Sequence, residues 1–359
     1  MNAHQSFTLS GVALPSDATW MLDEICEHFV EHAEVQRSGD LALLRSEVGL
    51  TRIQADRGRL LIELNAPSEQ SLQINRTLLA EHLFYFAGEN PFQLDWSEPP
   101  PPITLPDLQH IEIVSAEDVT PRMRRVTFAC DDVTPFIGGD MHVRLLVPPE
   151  GRAPVWPGYR VDGRVAWPEG EDALLVRTYT IRGVDAARGQ FWIDFLQHHA
   201  PGILTPGADF ARDVQPGTRI GLLGPGSGHL PVAQSIFLAG DETALPAIAR
   251  IAEEVPAGTR LQALIEVWDE TEEQPLACQG TLDLRWLHRK SYPAGASGIL
   301  GHEIKSALTS VDPGSFVWVA CEKDDVRAVR SFLKARQHNR KAMYVAWYWQ
   351  RGAAEGEAE

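Results

Sequence analysis

Six consecutive residues, Arg177-Thr178-Tyr179-Thr180-Ile181-Arg182, carry two guanidinium groups, two hydroxyls and a phenol. Read as a strand, the segment puts Arg177, Tyr179 and Ile181 on one face and Thr178, Thr180 and Arg182 on the other. Neither face is plain core, and the chemistry suits a flavin dinucleotide. Arg177 can pair bidentately with a pyrophosphate. Tyr179 can lie against an isoalloxazine ring, whose π surface favours offset stacking. Thr180 can bond the polar edge of the ring, and Arg182 or the backbone can stabilise charge on the reduced ring.

A second constellation is the turn Gly240-Asp241-Glu242-Thr243-Ala244-Leu245-Pro246, which follows the apolar run SIFLAG. Dinucleotide turns favour glycines, so that a pyrophosphate can approach backbone N–H groups at a helix start. Here acids take two of those places and compete with a phosphate for the helix dipole. The turn reads as a nicotinamide site of modest affinity, with Thr243 or Asp241 as N-cap. In MHVRLLVPPEG, alternation turns Val143 and Leu145 inward and sends His142 and Arg144 to the other face, where Arg144 can meet an anionic substrate. The segment GRAPVWPGYRVDGRVAWPEGED is a long loop whose Trp156, Tyr159 and Trp167 are suited to wall a substrate cleft.

These groups need elements to position them. Ser97-Glu98 and four consecutive prolines, with Pro106 beyond, mark a stiff linker over 98–106. Before it, residues 1–97 predict a small α-β-β-β-α domain: a helix over 19–36, strands LALLRS, LTRIQAD and RLLIELN, a hairpin at Arg57-Gly58, and a helix over 68–87. Short strands and Gly/Pro turns then predict an antiparallel barrel over 107–232. From 233 to 352 strands alternate with helices, which implies βαβ units and a parallel sheet. Residues 353–359 read as an acidic disordered tail.

The 359 residues carry a net charge of −17, which argues against general nucleic-acid binding. Yet all five lysines fall within 281–352, where twelve basic residues face six acids. That region is a candidate for attracting an anionic ligand. No run of about eighteen uncharged apolar residues predicts a membrane span. The start of the chain does not read as a secretory signal. Four scattered cysteines support neither a disulfide framework nor a metal site. The cytoplasm is the expected compartment, and no metal ligands are assigned.

RTYTIRG, FWIDFLQH, TRIGLLGPGSG, IFLAGDETALPAIARI, LIEVWDE, RWLHR, FVWVACEKDDVRAVRSFL and YWQRG together closely resemble the siderophore-interacting protein family, flavin-dependent ferric-siderophore reductases. The resemblance covers roughly Leu105 to Gly352. It implies a ferredoxin reductase-like fold: an antiparallel β-barrel FAD-binding domain, then an α/β Rossmann-like nicotinamide-binding domain, behind an α+β N-terminal domain of unknown role. Carried onto this chain, it assigns Arg177, Thr178, Tyr179 and Thr180 to FAD, with Asp194, Leu196 and His198 flanking it and Pro206, Gly207 and Ala208 at its pyrophosphate. It assigns Gly240, Asp241, Glu242, Thr243, Ala244, Cys321 and Glu322 to the nicotinamide, and Arg144, Lys290 and Arg351 to the substrate. Cys321 and Trp347 stand where the family has glycine and add bulk on the nicotinamide side. The implied activity passes electrons from NAD(P)H through FAD to Fe(III) in a ferric siderophore. Three alternatives stay open: a ferredoxin-dependent flavin reductase, a non-enzymatic siderophore binder, and a general electron-transfer partner.

Overall fold

The computed structural model describes residues 6–31, 33–100, 105, 107–197, 205–290, 292–295 and 298–352. The chain forms two compact units, Met1–Leu108 with Pro149–Ala173, and Gln109–Pro148 with Leu174–Glu359. Most of the proline linker and all of the acidic tail lie outside the described residues.

The first unit runs β1 (Phe7–Leu14), α1 (Ala18–His28), β2 (Glu34–Ser38), β3 (Leu41–Ser46), β4 (Gly49–Asp56), β5 (Arg59–Ala66), α2 (Glu69–Ala87) and β6 (Gln93–Trp96). Its strands form one antiparallel sheet in the order β2-β3-β4-β5-β1-β6. In β5 every second residue, Leu60, Ile62, Leu64 and Ala66, is buried, and the helices cover that face with Met21, Leu22, Ile25, Leu79 and Leu83. The turn at Arg57 and Gly58 has φ of 49° and 82°, the left-handed pair that suits a two-residue hairpin. Asp17 and Ser68 cap the helices by accepting from first-turn N–H groups.

The expected α-β-β-β-α order is therefore too short. The first helix stops at His28, and 34–38 is an edge strand with most of its residues exposed. Such a strand has no apolar alternation to announce it; pairing with β3 decides its conformation. Strand β1 pairs with both β5 and β6. Its Gly11 lies against Trp96, where a Cβ would sit 2.6 Å from the ring, so a position that looks weak for a strand is dictated by packing.

The second unit opens with the barrel strands β7 (Leu108–Thr120), β8 (Met123–Ala129) and β9 (His142–Val147). An insertion follows, which holds the ribbon β10 (Gly158–Tyr159) and β11 (Val165–Ala166) and belongs to the first unit. The barrel resumes with β12 (Leu175–Asp185), β13 (Gln190–Leu196), α3 (Pro206–Asp213) and β14 (Arg219–Ser227). Six strands close in the order β12-β13-β8-β7-β14-β9 around Val126, Phe128, Val143, Leu145, Ile181, Phe191 and Ile193.

The α/β half runs β15 (Ser235–Gly240), α4 (Leu245–Glu254), β16 (Arg260–Val267), β17 (Thr281–His288), α5 (Ile299–Leu308), β18 (Phe316–Glu322), α6 (Lys323–Ala335) and β19 (Met343–Trp349). Its parallel sheet has the order β17-β16-β15-β18-β19. Barrel and sheet share a core, since Met123 and Met141 pack with Ile236, Leu245 and Ile248. This is the ferredoxin reductase-like arrangement expected from the sequence, with α5 and β19 added. Among the described residues no helix is long and apolar enough to cross a membrane.

Candidate functional site

Strand β12 lies between β9 and β13, and its register with β9 fixes the faces. Arg177 opposes Leu145, Thr178 opposes Arg144, Tyr179 opposes Val143, and Thr180 opposes His142. Directly opposed residues share a face. Thr178, Thr180, Arg144 and His142 therefore lie together, while Tyr179 shares the other face with the buried Val143, Leu145 and Ile181. The Tyr179 ring is tilted 51° against Phe195, with centroids 4.4 Å apart.

The phenol of Tyr179 rests on Gly207, where a Cβ would lie 1.8 Å from the hydroxyl oxygen. This contact brings the arginine-tyrosine strand to the Pro206-Gly207-Ala208 turn, the two segments that the family resemblance assigns to one cofactor. Pro206 opens α3 at its first position, where its missing N–H costs nothing, and Thr205 before it makes no side-chain cap bond. Asp209 in that turn accepts from the Thr205 N–H at 3.0 Å, and Arg212 answers its charge at 2.8 Å. A cation, an aromatic plate, a helix start and strand hydroxyls fit the pyrophosphate and ring of FAD.

The other residues expected around the cofactor have partners of their own where the structure describes them. Asp194 is buried and paired in both oxygens with Arg125, at 2.7 and 2.8 Å. Leu196 packs into the core shared by barrel and sheet. His198 lies outside the described residues. Arg182, expected at the reduced ring, binds Glu253 at 2.8 Å.

His142 does not project toward an anion. Its Nε2 is 2.8 Å from the Tyr348 hydroxyl and its Nδ1 3.3 Å from Ser227 Oγ. Burial, with the nearby Arg250 charge, holds its pKa down to about 4, so the imidazole is neutral at ordinary pH. Arg250, only 1% exposed, donates to the carbonyls of Ile181 and Phe136 at 2.8 and 2.7 Å and to Glu254 at 2.8 Å. One α4 side chain thus locks the sheet domain onto β12. Sequence reading missed Arg125, Arg250, Tyr348 and Trp349. Arg250 left a signal, a lone cation inside the apolar run ALPAIARI.

In an open parallel sheet, ligands bind beyond the carboxyl ends of the strands where the order reverses. Here that crevice lies between β15 and β18. Asp241 and Glu242, each 2% exposed, follow β15 directly. Asp241 accepts from the Thr243 N–H at 2.9 Å, the Thr243 hydroxyl at 2.5 Å and Trp349 Nε1 at 2.7 Å. Neither Thr243 nor Asp241 is the N-cap expected from the sequence: Ala244 holds that position without a side-chain cap bond, and the Asp241 carboxylate closes the turn before it. Glu242 is held by Arg289, which has Glu266 3.7 Å away. Burial raises the pKa of Asp241 and Glu242, and lifts Glu266 to about 7. Gly240 admits no side chain, since a Cβ would meet the Ala320 carbonyl at 2.4 Å. Ala244 and Cys321 are fully buried. Glu322 caps α6, accepting from the Asp324 N–H at 2.6 Å, and also accepts from the Arg351 N–H at 3.1 Å. The residues assigned to the nicotinamide do gather at one crevice, but as a buried carboxylate cluster under Trp349.

Of the cations assigned to the substrate, Arg144 is exposed beside Thr178. Lys290 pairs with Glu270 at 2.8 Å, and Arg351 donates to the Gly295 carbonyl at 3.1 Å. In the basic 281–352 region, Arg285 pairs with Glu303 and Arg327 with Asp324. Much of its positive charge is thus answered locally. The insertion expected to wall a cleft packs its 162–165 turn on the first unit, because the polar groups of that turn find partners there.

Comparison with known proteins accords with this architecture. Residues 112–229 match the profile of the siderophore-interacting FAD-binding domain, residues 233–352 that of the siderophore-interacting protein, and residues 12–97 that of an uncharacterized protein conserved in bacteria. The ferric vibriobactin reductase ViuB of Vibrio cholerae is 29% identical over 252 residues, covering 68% of this chain and 90% of that protein. The ferric acinetobactin reductase of Acinetobacter baumannii is 26% identical, covering 71% and 83%. The crystal structure of a siderophore utilization protein from T. fusca is 34% identical and covers 68% of this chain and 94% of its own, with a TM-score of 0.60. With its FAD-binding barrel, its α/β domain and an N-terminal domain found elsewhere in bacteria, the chain belongs to the siderophore-interacting protein family.

Proposed function

We propose that this protein is an FAD-dependent ferric-siderophore reductase that takes electrons from NAD(P)H. The observation that carries the reading is the meeting of Tyr179 with Gly207, which sets the Arg177 strand beside the start of α3. The named activities of the vibriobactin and acinetobactin reductases support the substrate class. FAD, when bound, accepts two electrons as a hydride and releases them singly to chelated Fe(III), whose reduction weakens its hold on hard oxygen donors.

The chain's own residues have separable tasks. Arg177 and the Gly207 and Ala208 amides hold the pyrophosphate, Tyr179 supports the ring, and Thr180 binds its edge. Arg144, on the same face as Thr178 and Thr180, attracts an anionic ferric complex without ligating iron. The test is a visible spectrum of the purified protein, anaerobic bleaching by NADH or NADPH, and release of Fe(II) to a ferrous chelator. Arg144→Glu is expected to raise the apparent KM for an anionic ferric siderophore about tenfold at unchanged flavin content, an opposed charge being worth about 1.4 kcal/mol near a protein surface. Unchanged kinetics would remove Arg144 from this role.

One observation favours a second reading of the donor. The crevice that would take a nicotinamide dinucleotide holds Asp241, Glu242 and Glu322, with Trp349 donating to Asp241. A ferredoxin-type protein donor needs no phosphate cradle there. Bleaching by reduced ferredoxin, and by neither nicotinamide, would select it.

A further inference from the structure

The insertion between β9 and β12 docks on the N-terminal unit through a four-residue turn, and every residue of that turn is used. The Asp162 carbonyl accepts from Trp96 Nε1 at 2.7 Å, and the Gly163 carbonyl accepts from the Thr77 hydroxyl at 2.9 Å. The Arg164 guanidinium lies 3.4 Å from the Phe84 ring centroid while Asp162 neutralises it at 2.8 Å. The Val165 N–H donates to Glu81 at 2.9 Å. Gly163 has φ of +91°, and a Cβ there would meet Arg76 Cγ at 2.9 Å and Trp96 Nε1 at 3.0 Å. The backbone closes on itself, Arg160 N–H to the Arg164 carbonyl at 2.7 Å and Gly163 N–H to the Arg160 carbonyl at 2.9 Å.

Beneath the turn lies Arg76 of α2, 1% exposed. Its Nη2 donates to the Glu98 carbonyl at 3.0 Å, and its guanidinium lies 5.6 Å from the Trp96 ring centroid. Its Nε and Nη1 are buried without a hydrogen-bond partner. Burying a cation with donors unspent is costly. The α2–β6 surface is thus a specific receptor for this turn, with its occupant already on it.

The consequence travels along the chain. Val147 ends β9, Leu175 opens β12, and the two residues are paired, so the insertion closes the loop between the flavin strand and its neighbour. A loop this long, left free, opposes closure by its entropy, and its terminal pairs fray first. We propose that the N-terminal unit is a clamp for FAD binding: by gripping the 162–165 turn it keeps the leading end of β12, Leu175 to Arg177, paired with β9 before the cofactor arrives. Preorganisation of that end lowers the ordering cost of binding. The proposal rests on the reading of Arg177 as the pyrophosphate residue.

The test uses the full-length chain with Trp96→Phe, which removes the N–H and keeps a ring, and Thr77→Val, which removes the hydroxyl at constant shape. Hydrogen exchange is followed at 158–166 and at 175–178, and FAD is titrated into deflavinated protein. The clamp predicts faster exchange at both segments, about tenfold at 175–178, and an FAD Kd raised three- to tenfold, with exchange in β3, β4 and β5 unchanged. Loosening of 158–166 with 175–178 and FAD affinity untouched overturns it. Should one variant lose its N-terminal sheet, the other decides. If the wild-type chain takes up no FAD, the flavin reading fails separately, and spread of exchange from 162–165 to 175–177 still judges the clamp.

Discussion

Arg289 is the buried cation that faces Glu242 and Glu266, with Asp241 close enough to feel its charge. Arg289→Met keeps much of the volume and leaves those carboxylates without it. Breaking a buried pair by removing one partner typically costs about 3–5 kcal/mol, because the surviving charge stays desolvated. For a cooperative unit of this size each kcal/mol moves Tm by about 2–4 °C, so a loss of roughly 10 °C is expected at pH 8. The pH dependence is diagnostic. Burial already raises the folded pKa of Asp241, Glu242 and Glu266 above the ordinary carboxylate range, Glu266 to about 7. A raised acid destabilises the fold progressively as pH climbs from its unfolded pKa through its folded one, and costs nothing below both. Without Arg289 the folded values rise further, so the deficit should be largest at pH 8 and shrink towards pH 5. Arg289→Met with Glu242→Gln should recover part of the loss by removing the orphaned charge. Thermal unfolding from pH 5 to 8 reads all three variants. A deficit under 2 °C, or one independent of pH, would refute the account of a carboxylate cluster held by one arginine.

Two further outcomes follow from single contacts. Gly207→Ala places a methyl group 1.8 Å from the Tyr179 hydroxyl, so overpacking of about 1–3 kcal/mol and at least tenfold weaker FAD binding are expected. Adding Tyr179→Phe removes the clashing oxygen and should restore stability, as differential scanning calorimetry would show. His142 has a folded pKa of about 4 against an unfolded value near 6.5, so its contribution is complete above pH 6.5 and disappears as pH falls towards 4. About 3 kcal/mol is involved, and His142→Asn should flatten that part of the stability profile; a slope that survives the substitution would mean another group titrates there.

The sequence disclosed most where chemistry and periodicity coincide. Segment 177–182 was legible as a strand of unusual chemistry because its cations and aromatic spoil both faces, and the Pro206-Gly207-Ala208 turn was singled out through its family resemblance. The contact between them was not legible, since closure of the barrel, not spacing along the chain, brings Tyr179 to Gly207. Strand 34–38 was hidden because an exposed edge strand carries no apolar alternation. Arg182 was placed near the cofactor by its chemistry and Asp194 by the family resemblance; their pairing with Glu253 and Arg125 was not legible, because such partners are set by tertiary structure. The aromatic insertion looked like a substrate wall; nothing in its composition names α2 and β6 as the surface that receives it.

The two halves of the second unit treat an incoming anion in opposite ways. The flavin half offers Arg177 and the start of α3, with Arg144 exposed on the neighbouring strand. The α/β half keeps the parallel sheet and its switch point, yet fills the crevice with carboxylates, ties Arg289 to Glu242 and seats Trp349 on Asp241. A dinucleotide pyrophosphate entering there would have to displace an indole N–H from a buried carboxylate and then face that carboxylate at close range, where low dielectric strengthens the repulsion. Protonation of the cluster would ease both steps. If nicotinamide is the donor and hydride transfer limits, the bleaching rate should therefore rise as pH falls through the elevated pKa of Glu266; a protein donor that never enters the crevice would show no such dependence. The same carboxylates that govern stability thus separate the two electron donors.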